Sequence, residues 1–148
     1  MISLKEVMEE VASKVGEVQF KGLMLKEARI KNGAGKMPED ILGWDYLFRT
    51  DKGVCYSYYA AQAPLIGMTQ PSPLPCPLGI QPFDSYEIDF KKAIEILNSI
   101  NCGDVFVAMT LSWPLTPECT VPYWHIRTTL GNDIVIGANS GKVDCNTV

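Results

Sequence analysis

The apolar positions of residues 2–25 recur at residues 88–111 without a gap. In the first stretch Leu4, Val7, Met8, Val11, Ala12 and Val15 form one stripe at helical spacing, the signature of an amphipathic helix. Ser3 with Glu6 predicts a capping box, and Gly16 closes the helix. In the second stretch Asp89 is the expected cap, Phe90, Ala93, Ile94, Leu97 and Ile100 form the stripe, and Asn101 to Gly103 end it. Each helix is followed by runs rich in residues that suit a pleated sheet. These are Val18 to Ile30, Gly43 to Thr50 and Val54 to Ala60, then Val105 to Trp113, Tyr123 to Leu130 and Ile134 to Ala138. The turns Asp51-Lys52-Gly53 and Gly131-Asn132-Asp133 read as hairpins.

A second block aligns with a shorter offset, Trp44-Asp45-Tyr46 over Trp124-His125-Ile126, because the connection from Lys31 to Asp40 is longer in the first copy. Two blocks in one order predict a duplication. The expected class is α+β: two α-β-β-β repeats, each a helix plus an antiparallel meander, packed as one compact pseudo-symmetric domain. The boundaries are 1–61 for the first repeat, 62–83 for a Pro-rich connecting loop and 84–148 for the second repeat. One repeat alone has a marginal core, which favours joining the two. The loop carries six of the ten prolines, which excludes a helix or central strand. In the second hairpin Trp124, Ile126, Thr128 and Leu130 share the expected core face, matched by Trp44, Tyr46 and Phe48. For the first strand of each repeat two registers compete. Phe20 and Phe106 favour one, and Val105, Val107, Met109 and Leu111 the other.

The second repeat resembles the PepSY domain in its capped helix Ile88-Asp89-Phe90-Lys91-Lys92-Ala93, in Tyr123-Trp124-His125-Ile126, and in the closing run Ile134 to Val143. Gly137 and Ser140 stand where that family often has Asp and Thr. The resemblance covers about residues 85–145, and 1–61 through the repeat. It implies small cystatin-like α+β units, often extracytoplasmic and often proposed to inhibit or regulate peptidases. It carries no catalytic residues over to this chain.

Composition narrows the function. The 148 residues are 47% hydrophobic and 20% charged, as in a folded globular protein. A net charge of −4 gives no electrostatic footprint for nucleic acid. No apolar run reaches the ~18 residues of a membrane helix. The N-terminus has no basic segment followed by an apolar stretch, so the expected location is cytoplasmic, or extracytoplasmic if a leader has been removed. Five cysteines at irregular spacing are no disulfide framework. Cys55 and Cys102 read as small packing residues among free thiols. The alternative is a Cys76–Cys119 bridge tying down the Pro-rich segments. Cys145 to Val148 has the spacing of a prenylation box, but Asn146 fits poorly and no basic run precedes it.

Candidate chemistry is sparse. A thiol enzyme would pair Cys119, or Cys76, with the one histidine, His125. In an extended strand six residues put Cys119 ~20 Å from it, beyond hydrogen-bond reach. No Cys-x-x-Cys or His pair supports zinc, and no cofactor is expected. Glu9/Glu10 and Glu39/Asp40 read as solvated carboxylates. Lys31 to Lys36 lacks the spacing of a phosphate loop. What remains is binding. The aromatic strand Tyr56 to Tyr59 runs into the apolar exit Ala60 to Met68, and Trp113 ends another strand. The candidate surface is Tyr58, Pro64, Leu65, Ile66, Met68, Cys76, Trp113 and Tyr123, and the expected partner is a protein or peptide. A small-molecule carrier, with a cavity between helix and sheet lined by Phe20, Trp44 and Tyr46, is the alternative.

Overall fold

In chain order the elements are β1 (Ile2–Ser3), α1 (Lys5–Val15), β2 (Phe20–Ile30), β3 (Ile41–Thr50), β4 (Cys55–Ala61), β5 (Ser72–Leu74), β6 (Ile80–Gln81), β7 (Ser85–Tyr86), α2 (Phe90–Ser99), β8 (Phe106–Pro114), β9 (Tyr123–Thr128), β10 (Asn132–Gly137) and β11 (Val143–Thr147). This computed structural model describes residues 1–16 and 18–147, with side chains through residue 143. The tail reading at Cys145 to Val148 therefore falls outside the described side chains. One antiparallel sheet runs in the order β11-β10-β9-β8-β2-β3-β4-β5. The meander β2-β3-β4 thus meets the meander β8-β9-β10 along β2 and β8. Both helices lie on one face of this sheet. Leu4 and Val11 from one end, and Phe90, Ala93, Ile94 and Leu97 from the other, join a single core with Leu23, Trp44, Phe48, Phe106, Met109, Leu111, Trp124, Ile126, Ile134 and Ile136.

The two competing registers are both realised, on either side of a bulge. In β8 the register shifts between Phe106 and Ala108. Phe106, Met109 and Leu111 are all buried, while Val107 and Ala108 turn outward. In β2 shifts at Phe20/Gly22 and Leu23/Leu25 put Leu23 and Lys26 on the helix face. An extra residue in a strand flips every side chain beyond it, so strict alternation could not describe either strand.

The β2–β8 seam is short: Leu25↔Ser112, Lys26↔Leu111 and Glu27↔Thr110. The strands splay on both sides, and a loop fills each gap. At one end Gly35 exchanges backbone bonds with Phe106 at 2.9 and 2.8 Å. A Cβ on Gly35 would meet the Phe106 ring at 2.8 Å, so only glycine fits there. Asp40 folds this loop by accepting from the Lys36 and Met37 amides at 2.8 and 3.1 Å, which holds its carboxyl below the usual range. At the other end Phe83 exchanges bonds with Leu23, and β6 pairs with Trp113 and Pro114 of β8. The proline loop therefore contributes short sheet segments, although it forms no long central strand.

Three local expectations are corrected. The Ser3/Glu6 capping box does not form. Ser3 and Ile2 pair with β7, Leu4 takes the cap position without a side-chain bond, and the Ser3 hydroxyl only reaches the Lys5 amide at 3.3 Å. Asp89 does cap α2, accepting from the Lys92 amide at 2.8 Å. Leu130 is 70% exposed, because β9 ends at Thr128 and Leu130 falls in the turn. Finally, Cys55 and Cys102 are not free packing thiols. Cys55 bridges Cys76, and Cys102 is disulfide-bonded too. The bridge to Cys76 thus comes from the start of β4, and Cys119 is a free thiol.

Candidate functional site

From Gly53 to Phe83 the chain has no Asp, Glu, Lys, Arg or His. This charge-free run was legible in the sequence, and it marks the site more sharply than the individual rings do. It begins just before β4, whose first residue carries the disulfide. It then turns back on itself: Ala61 N–H donates to the Gly67 carbonyl at 2.7 Å, Leu65 N–H to Gln62 at 2.9 Å, and Thr69 N–H to Tyr59 at 3.0 Å. The Met68 sulfur lies 3.3 Å from Lys14 Nζ and 3.4 Å from the Tyr58 hydroxyl, fixing the turn against α1. Pro64, Leu65, Ile66 and Met68 stay exposed, Ile66 to 97%.

The chain next forms β5 against β4, with Ser72 opposite Ser57 and Pro73 opposite Tyr56. Proline has no N–H, so the backbone groups facing β4 belong to Ser72 and Leu74. Pro71, Pro73 and Pro75 alternate with them along the outer edge and offer no donor to another strand. Such an edge resists strand addition, so a partner would have to read side chains here. Beyond β5 the chain crosses the outer face of the sheet as a strap. Cys76 is tied to Cys55, and Ile80 and Cys76 pack on a second small core of Met24, Leu47 and Cys55. Leu78, also 97% exposed, stands on this strap, next to Gly79, whose carbonyl accepts from Leu115 N–H at 2.8 Å.

The remaining candidate residues are not presented on this surface. Tyr58 is 2% exposed, because it shares the helix face with Tyr56, and its hydroxyl donates to Glu10 Oε1 at 3.1 Å. Glu10 therefore has a specific partner beyond solvent. Tyr59, on the opposite face, stacks under Arg29 at 4.1 Å. Trp113 is partly buried and donates to the Cys119 carbonyl at 2.9 Å. Tyr123 lines a depression of ~480 Å³ with Glu118, Cys119, Val135, Ser140, Lys142 and Val143. It sits on β9, four strands from β4 and thus roughly 19 Å across the sheet. His125 lines a different depression, with Thr110, Arg127 and Asp133. Its Nε2 is buried without a partner among the described residues, and burial lowers its pKa against the pull of Asp133. The site is therefore the turn 62–68 and the strap 74–81, with Cys76 as its anchor. The residues proposed to line a carrier cavity are packed against other rings: Phe20 and Tyr46 lie 5.7 and 5.5 Å from Phe48, and Trp44 lies 5.8 Å from Trp124.

Sequence reasoning missed a second feature, Lys26. It is 8% exposed at the middle of the β2–β8 seam, on the helix face. Its ammonium lies 4.5 Å from the Trp44 ring, 5.3 Å from Tyr46 and 6.0 Å from Tyr86. It donates to the Tyr86 hydroxyl at 3.3 Å. Burial lowers its pKa to about 8, while the charge of Asp89 pulls the other way. Burial also pushes Tyr46 up to about 12 and raises Tyr86. The rings satisfy a buried cation through their faces. Alternation along the strand gives no signal for it, because the bulges in β2 reset which side chains face the helices.

No family model, curated protein or solved structure matches the chain.

Proposed function

We propose that the chain is a non-catalytic binding protein that docks a protein partner through the uncharged segment 53–83. The observation that carries this reading is the presentation of Ile66 and Leu78, each 97% exposed, on a segment without charge that is fixed by backbone bonds and a disulfide. Large apolar side chains held out on a preorganised loop lose little freedom on binding, and fully burying an Ile or Leu side chain in a partner's cleft contributes roughly 1.5–3 kcal/mol. The absence of charge selects the partner's chemistry. An apolar, uncharged cleft gains from the contact, whereas a charged cleft would be desolvated without compensation.

A tandem PepSY-like architecture underlies this reading. It is supported by the shared order α1-β2-β3-β4 and α2-β8-β9-β10 and by the antiparallel meeting of β2 with β8. On that reading the two halves descend from one duplicated unit, and the partner is a peptidase or its regulator.

Comparative capture from native lysate tests the proposal, using the parent chain, Ile66→Asp and Leu78→Asp. The expected result is a protein set retained by the parent and reduced at least tenfold in one or both variants, with unchanged circular dichroism. Identical sets from all three proteins would overturn it.

A further inference from the structure

We propose that the Cys55–Cys76 disulfide is a redox latch that governs this same docking segment and is opened by dithiol reductants. The inference rests on the docking reading above. Four observations place the latch. Cys55 opens β4 and is fully buried, whereas Cys76 is partly exposed on the strap. The strap's apolar seat on the outer face is the small group Met24, Leu47 and Cys55, with Leu25, against which its own Cys76 and Ile80 pack. No charged side chain within 53–83 is present to form an ion pair, so without the bridge the strap is tied at its two ends, by β5 on β4 and by β6 and Gly79 on β8 and Leu115. The strap also enters the gap beside the short β2–β8 seam, so its release reaches the centre of the sheet through Phe83 and Leu23.

The exchange balances with a dithiol as co-reactant. A thiolate of the reductant attacks the more accessible sulfur, Cys76 Sγ, and expels the Cys55 thiolate. The reductant's second thiolate then attacks its own sulfur in the mixed disulfide and frees the Cys76 thiolate. Two electrons pass to the protein, the two thiolates take up protons, and the reductant leaves as a disulfide. Opening frees Cys76 from Cys55 and slackens the segment between β5 and β6 that carries Leu78. The oxidised form docks, and the reduced form exposes a different apolar surface.

A bridge spanning 21 residues biases closure by about 10²-fold through chain entropy. Because Cys102 is also disulfide-bonded, reductant alone is not selective. The test therefore uses Cys55→Ala/Cys76→Ser, with dithiothreitol-treated parent chain as the second arm, followed by hydrogen exchange. In the double variant, amides of residues 72–81 and of Leu115 should exchange about 10²-fold faster, with α2, β9 and β10 unchanged. An apolar dye should bind both the variant and the reduced parent. A strap that stays protected in the variant would overturn the latch. So would exchange that rises equally in α2, which would make the bridge a support of the whole fold. Neither readout involves a partner, so a failed docking reading leaves this result standing on its own.

Discussion

Replacing Lys26 with methionine should stabilise the protein at neutral pH and erase a pH dependence that the parent shows. In the folded chain burial lowers the Lys26 pKa to about 8, from 10.5 for a lysine in water. At ~1.36 kcal/mol per unit that depression amounts to about 3 kcal/mol. The sign follows from linkage. Below pH 8 both states carry the proton, and the cost of burying the charge is fully present. Between pH 8 and 10.5 the folded state sheds the proton while the unfolded chain keeps it, so stability rises with pH. Above pH 10 the tyrosines act oppositely. Unfolded tyrosines ionise there, whereas Tyr46 holds its proton to about 12, and stability falls. The Lys26 window is therefore pH 8 to 10, with a rise of about 2 kcal/mol. Lys26→Met removes the charge, keeps most of the volume and gives up the bond to Tyr86, worth about 1 kcal/mol. The net gain at pH 7 is about 2 kcal/mol. Urea titrations read by tryptophan fluorescence, on oxidised protein from pH 6.5 to 10, measure both quantities. A flat parent profile, or a variant that is destabilised at pH 7 and keeps the slope, would refute the reasoning.

Three further outcomes follow from the same contacts. Gly22→Ala places a Cβ 2.6 Å from the Phe83 carbonyl oxygen, where backbone cannot give way, and should cost about 1–3 kcal/mol in urea titration. Asp89→Ala removes the α2 cap, at a cost of about 1 kcal/mol. It also removes the charge that raises the Lys26 pKa, so the alkaline rise in stability should begin at lower pH. Ile66→Asp alters a side chain in solvent and should leave stability within about 0.5 kcal/mol in urea titration, so a loss of partner capture in this variant reports on docking and not on folding.

Helical periodicity identified both helices, and β-rich runs with turn residues located the six long strands, because each signal is local. The capping box failed for a non-local reason: residues 2 and 3 are drawn into pairing with β7, more than 80 residues away. Disulfide pairing was equally hidden, since Cys55 and Cys76 meet only once the strap crosses the sheet. Tyr58 seemed a surface candidate because an aromatic strand does not reveal which parity faces the helices. Its bond to Glu10 depends on where α1 packs. The apolar character of Pro64 to Met68 was legible but its exposure was not, because large apolar side chains are mostly buried; the charge-free run around it is plain in the sequence once charges are mapped along the chain.

The docking claim is tested most directly by a photo-crosslinking amino acid placed in turn at positions 66, 78 and 91, the last on the exposed side of α2. Irradiation in native lysate should join positions 66 and 78 to one common protein and leave position 91 without it. Crosslinks of equal yield to the same proteins from all three positions, or from position 91 alone, would contradict the account.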